Sequence, residues 1–179
     1  MRKRYSLPLI GLHWLTLLLI VTAYVLATIL QDMSLSPQKL KLYSWHKWVG
    51  ITVLFLVPLR LLLRFVDRFD HRHELTVFEI RASAAVHSVL YLLLIAVPLL
   101  GWLHSSAAGF PVVWFGVLSL PDMVGKDKAL AELFKELHAG SINLLIALVV
   151  LHAAAALYHH YFKRDGVLAR MIPWLRKRT

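Results

Sequence analysis

Histidine is the residue through which this chain can do chemistry, and it has ten of them. The run ELHAGSINLLIALVVLHAAAALYHHY, from Glu136 to Tyr161, is apolar enough to cross a bilayer yet carries His138, His152, His159 and His160. A histidine inside a membrane span is costly unless it is paired or used. The 14 steps from His138 to His152 correspond to roughly 21 Å along a helix and return the second ring to within about 40° of the first. Both rings therefore look into one groove, one in each leaflet. His159 lies seven residues past His152, within about 20° of the same face and roughly 10 Å further on, whereas His160 turns away.

Cysteine is absent, which excludes disulfides, thiolate metal sites, iron–sulfur clusters and covalent haem attachment. Any metal must be held by histidine or carboxylate.

The elements that position these rings follow from composition. Of the 179 residues, 59% are hydrophobic and only 17% charged, the balance of a membrane protein rather than a soluble one. The net charge of +10 does not point to nucleic acid, because the basic residues fall in short flanks beside apolar runs, the pattern of lipid contact and membrane topology. A span needs about 20 mostly apolar residues, and four stretches qualify: Leu7 to Leu30, Trp45 to Phe65, Ala82 to Leu103, and His138 to Phe162. Helix is required because a lipid-exposed strand leaves backbone donors unpaired. The first run begins basic and turns apolar like a secretory signal, but its apolar part is too long and lacks a small-x-small cleavage site.

The expected fold is an all-α, four-helix transmembrane bundle forming a single domain over residues 1–179. With both termini cytoplasmic, the inner segments hold Arg2, Lys3, Arg4, Arg60, Arg64, Arg68, Arg72, Arg81, Lys163, Arg164, Arg170, Arg176, Lys177 and Arg178. The outer segments hold only Lys39, Lys41, Lys47, Lys126, Lys128 and Lys135, and this excess of inner cations sets the orientation. In the long outer connection, Trp114 and Phe115 suit the interface. Leu130, Leu133, Phe134 and Leu137 recur at helical spacing, predicting a short amphipathic helix on the outer surface before the fourth span. The same pattern also suits an N-terminal extension of that span.

Sorting by depth, His71 and His73 lie in a charged loop and read as solvated. His46, His104 and His138 are outer; His13, His87 and His152 are inner. Each level thus holds a histidine on the fourth helix and one on an earlier helix. Opposed imidazoles at one depth, without thiols and without acids in the span interiors, suit bis-histidine ligation of a flat macrocycle. His46 and His138 form the outer pair; depth alone leaves the inner partner of His152 open between His13 and His87. Small residues one turn from the ligands, Gly50, Ser141, Ala155 and Ala156, leave room for the macrocycle, although such residues also serve helix contact. His104 reads as an interfacial residue.

The segments LIGLHWLTLLLIVTAYVLA, WHKWVGITVLFLVPLRLLLR, HSVLYLLLIAVPLLGWL and LHAAAALYHHYFKRDGVLARMIP resemble the bacterial cytochrome b561 family of four-helix membrane proteins over nearly the whole chain. The resemblance is weakest in the long outer connection. It implies two haem b groups, the inner held by His13 and His152 and the outer by His46 and His138, with His87 left to a haem propionate or a helix neighbour. It also implies a multi-pass protein of the bacterial inner membrane that oxidises superoxide at the periplasmic face and passes electrons to ubiquinone. A cytochrome subunit fed by a periplasmic dehydrogenase is the alternative, so a protein partner is compatible but not required; a haem-free transporter with histidine proton relays is a third reading. The outer lysines would attract a small anion, and His159 is placed to hydrogen-bond a quinone carbonyl and deliver a proton. Arg60, Arg64 and Arg81 would neutralise propionates or anchor the inner face.

Overall fold

The computed structural model describes residues 5–67 and 75–175. Four long helices dominate: α1 (Leu7–Asp32), α2 (Pro37–Val66), α3 (Val77–Ala107) and α4 (Lys128–Tyr158). Each is long and apolar enough to cross a membrane. A π-helical turn (His159–Lys163) and two 3₁₀ turns (Leu168–Arg170 and Pro173–Leu175) follow α4.

The helices alternate in direction, and cross-links at one end of the bundle show it. Ser6 N donates to Asp67 Oδ2 at 2.7 Å, joining the start of α1 to the end of α2. Lys163 pairs with Glu79, joining the turn after α4 to the start of α3. Trp14 Nε1 donates to Met171 O at 3.0 Å, folding the C-terminal segment beneath α1. The first and last described residues therefore share this end, which also carries Arg64, Arg81 and Arg164. His71 and His73 lie outside the described residues.

Three helices begin earlier than hydropathy alone predicts, because polar caps carry them beyond the hydrocarbon. Ser36 accepts from Lys39 N and is followed by Pro37, which suits a first helical turn. Thr76 and Glu79 form a reciprocal capping box. Asp127 accepts from Leu130 N.

The last of these caps corrects one expectation. Residues 128–137 do not form a separate helix lying on the surface but are the opening turns of α4. Asp127 N donates to Ala107 O at 2.9 Å, and the carbonyl of buried Ala131 accepts from His104 Nδ1 at 2.9 Å. These bonds hold the stretch upright against the end of α3, and the helix runs unbroken through Leu137 and His138. His104 is accordingly a link between two helices rather than a bare interfacial residue.

The outer connection also contains an unanticipated antiparallel hairpin, β1 (Val113–Trp114) with β2 (Leu118–Ser119). Its reversal uses left-handed backbone at Phe115 and Gly116, the conformation that short hairpin turns favour. Trp48 Nε1 donates to Val113 O at 2.7 Å, while Trp114 Nε1 lies 3.3 Å from both Trp48 O and Thr52 Oγ1. The hairpin is thus fastened to α2, with Trp114 turned onto the helix and Phe115 left exposed.

All four helices contribute to one apolar cluster: Ile20, Val53, Val57, Leu93, Leu94, Val97 and Leu145. It sits at mid-depth, since Leu145 is seven residues from His138 and seven from His152. α1 packs on α2, α2 on α3, and α3 on α4. Leu145→Ala is expected to destabilise the bundle by about 2–4 kcal/mol through the cavity it leaves, read as a lower unfolding midpoint in detergent.

Candidate functional site

The histidines meet at two levels, on either side of the apolar cluster. At the outer level the His46 and His138 ring centroids are 6.3 Å apart. His46 Nδ1 donates to Ala23 O at 3.0 Å, and His138 Nδ1 donates to Val97 O at 2.8 Å. Each ring is therefore oriented by a backbone carbonyl of a neighbouring helix, and each keeps the Nε2 lone pair for a metal.

At the inner level, His152 has two neighbours. Its centroid is 6.2 Å from that of His13 and 5.1 Å from that of His87. Two imidazoles gripping one metal from opposite sides, each at a bond of about 2 Å, have centroids about 6 Å apart. The His13–His152 and His46–His138 separations fit this requirement; the His87–His152 separation is short for it. His87 Nδ1 is held by its own helix, donating to Ser83 O at 2.6 Å. Arg60 Nη2 donates to His13 Nδ1 at 2.7 Å, and the guanidinium lies 5.3 Å from the Tyr91 ring centroid, a cation–π contact.

Around the outer pair lies a cavity of about 450 Å³ between the helices, within the usual range of roughly 300–1,000 Å³ for a cofactor site. Ala23, Gly50, Gly101, Ala139 and Val112 are among the residues lining it. Gly101 was not a sequence candidate, yet it sets the closest approach: a Cβ there would stand 3.1 Å from His138 Cε1 and 3.3 Å from Nδ1. A glycine in the interior of a helix costs stability, and at position 101 the close approach of the His138 ring accounts for it. Gly50 lines the cavity as expected, but on α4 the small lining residue is Ala139 rather than Ser141. Three steps along a helix carry Ser141 to the other flank of His138.

Two buried donors among the described residues have no partner: Trp102 Nε1 and Arg60 Nε. Trp102 lines the outer cavity, and Arg60 stands beside His13. An unpaired buried donor costs about 1–3 kcal/mol, so each level presents a polar group suited to an acceptor on a bound molecule. Lys47 also lines the outer cavity, with Nζ donating to Phe110 O at 3.3 Å.

The remaining candidate, His159, is at the inner end. Its Nδ1 contacts Asp165 Oδ2, a partner absent from the sequence reading, and its Nε2 lies 3.9 Å from Glu79 Oε1. Glu79 is eight residues before His87 on α3, and His159 seven after His152 on α4. The cluster thus lies two helical turns closer to the inner face than the inner histidines.

Residues 4–174 match the family described as prokaryotic cytochrome b561. A protein of Yersinia pestis named probable superoxide oxidase CybB is 30% identical, covering 97% of this chain and 98% of its own length. Cytochrome b561 homolog 1 of Escherichia coli K12 is 29% identical, covering 96% of this chain and 98% of its own. Cytochrome b562 of Cereibacter sphaeroides is 26% identical, covering 94% of each.

A side chain at position 101 must push against the His138 ring, whereas Gly140 has nothing within 4 Å of its would-be Cβ. Gly101→Val is expected to lower Soret absorbance per chain by about half or more, while Gly140→Val leaves it unchanged.

Proposed function

The chain belongs to the prokaryotic cytochrome b561 family, and from that premise we propose that it is a dihaem oxidoreductase carrying electrons from superoxide at the outer membrane face to ubiquinone at the inner. Family membership together with four spanning helices makes it a multi-pass membrane haem protein of electron transport. The balance is two superoxide, one quinone and two protons giving two dioxygen and one quinol.

The observation that carries this reading is the recurrence of one ring spacing at two depths, with imidazole centroids 6.2 and 6.3 Å apart. Haem b bound at each level supplies one-electron exchange. His46 and His138 are the proposed outer ligands, and His13 and His152 the inner. The carbonyls of Ala23 and Val97 hold the outer rings in the metal-binding tautomer. Trp102 and Arg60 offer donors to propionates, and His87 is a neighbour of the inner site rather than its ligand. Lys47, lining the outer cavity, joins Lys39 and Lys41 in drawing a small anion inward. The apolar cluster keeps water and protons from passing between the two levels. At the inner end, His159 is the proposed contact to a quinone carbonyl. The similarity to a probable superoxide oxidase favours superoxide as donor, and the 14 Lys and Arg that the full sequence carries in the segments read as inner, against six in those read as outer, favour an inner-membrane protein with the end holding Arg64, Arg81 and Arg164 in the cytoplasm.

The test is haem content and activity of the purified chain. Alanine at His46 or His138, and at His13 or His152, is expected to remove one haem from a wild-type complement of two, whereas His87→Ala retains both. Loss of haem in His87→Ala with retention in His13→Ala would reverse the inner assignment. A haem-loaded chain that reduces quinone only when a periplasmic dehydrogenase is supplied would replace the superoxide reading by the subunit reading.

A further inference from the structure

We propose that Asp165 is a positioning residue: it grips His159 through Nδ1 so that Nε2 is aimed to hand protons to the quinone being reduced. The inference rests on the functional reading above, in which quinone is reduced at the inner end.

The backbone is bent in a way that serves this contact. In an uninterrupted α-helix, the residue six places beyond His159 would lie about 9 Å further along and on another face. Here α4 passes into a π-helical turn over His159–Lys163, a departure found often at functional sites. Arg164 then adopts left-handed backbone with φ 55° and Gly166 with φ 73°. Left-handed backbone is unfavourable for a residue other than glycine, so Arg164 adopts it only under constraint. The result is that Asp165 folds back onto His159. Its second oxygen, Oδ1, accepts from Val167 N at 3.1 Å, so the carboxylate is itself fixed in place.

The other groups around the ring leave Nε2 free. Glu79 on α3 is the nearest carboxylate to Nε2, at 3.9 Å, too far for a hydrogen bond. Its oxygens are already taken: Oε2 accepts from Thr76 N and Oγ1, each at 2.9 Å, and Oε1 from Lys163 Nζ. Tyr158, 6.1 Å away between centroids, is a further titratable neighbour. Counting formal charges, Glu79, Asp165 and Lys163 sum to minus one, and a proton on His159 brings the cluster to zero. An acid–imidazole pair of this kind fixes the tautomer and supports the charge of the protonated ring during transfer. His159 and Asp165 side chains remain 15% and 10% exposed, so the pair is not sealed inside the bundle.

In the proposed step, the Nε2–H bond breaks as an O–H bond forms on the quinone, while the electron arrives from the inner level. Nδ1–H stays with Asp165 throughout. The cluster is then one unit negative and takes a proton from the cytoplasmic side. The second electron and second proton complete the quinol in the same way.

The experiment is a double-mutant cycle on the haem-loaded chain, following quinone reduction, haem reduction by superoxide, and haem content. Asp165→Asn is expected to lower kcat for quinone reduction about tenfold or more, with KM, haem content and haem reduction unchanged, and Asp165→Glu to restore most of it. Asp165→Ser, whose hydroxyl can still accept from Val167 N, should reproduce the loss and separates turn geometry from carboxylate chemistry. In a His159→Gln background, Asp165→Asn should cost nothing further. Unchanged kcat in Asp165→Asn and Asp165→Ser, or an undiminished extra loss in the His159→Gln background, would overturn the inference. A wild-type chain whose haems are reduced by superoxide but which does not reduce quinone overturns the functional reading and the inference with it.

Discussion

A metal–imidazole bond of about 2 Å tolerates little slack, so two rings that share one metal dictate how far apart their helices stand. In the proposed ligation the constraint would apply twice to one helix, because α4 carries both His138 and His152. The other helices are arranged around that fact. α2 brings His46 to the outer ring, α1 brings His13 to the inner, and α3 lies against α4 closely enough that a Cβ at position 101 would crowd the His138 ring at 3.1 Å. The same α3 supplies the Val97 carbonyl that fixes the tautomer of His138. A side chain that must be buried in lipid is thus oriented by backbone, which adds no further polar group to the span.

Between the two levels the bundle is filled by Ile20, Val53, Val57, Leu93, Leu94, Val97 and Leu145, none of which can carry a proton. Among the described residues, acidic and lysine side chains lie toward the ends: Glu79, Lys163 and Asp165 at one, Lys47 and the outer lysines at the other. Electrons and protons are therefore sorted by the packing itself. An electron could cross an apolar layer lying between the two proposed redox levels, whereas a proton needs donors and acceptors in hydrogen-bond reach, and the seven buried residues of the cluster offer none from their side chains.

How far this could be read from sequence depended on whether a feature was periodic along the chain or created by packing across it. Four runs of about 20 apolar residues announce four spans, and the depth of each histidine follows from counting. Depth could not separate His13 from His87, because both are inner and only lateral packing sets their distances to His152, 6.2 and 5.1 Å. The helix starts were legible in Ser36, Thr76 with Glu79, and Asp127, but a hydropathy window passes over caps. The hairpin at 113–119 lies in a loop with no alternating pattern long enough to reveal it. Asp165 stood six residues from His159, a spacing that regular helix geometry places on different faces; the π-helical turn that unites them has no simple sequence period.

The proposed direction of electron flow has an electrostatic consequence that the architecture must accommodate. An electron moving from the outer to the inner level moves toward the negative side of an energised membrane, which opposes it by about 2.3 kcal/mol per 100 mV for a full crossing. A proton taken up at the inner end neutralises the arriving charge locally but does not undo the crossing. The reaction must therefore be driven by the difference in potential between donor and quinone, and it is served by inner-level cations that stabilise the arriving electron. Arg60, with Nη2 on His13 and its Nε buried without a partner, is the cation nearest that level. Its placement there, in a span where a buried charge is costly, is explained if its field favours the reduced state of the group that His13 and His152 are proposed to hold.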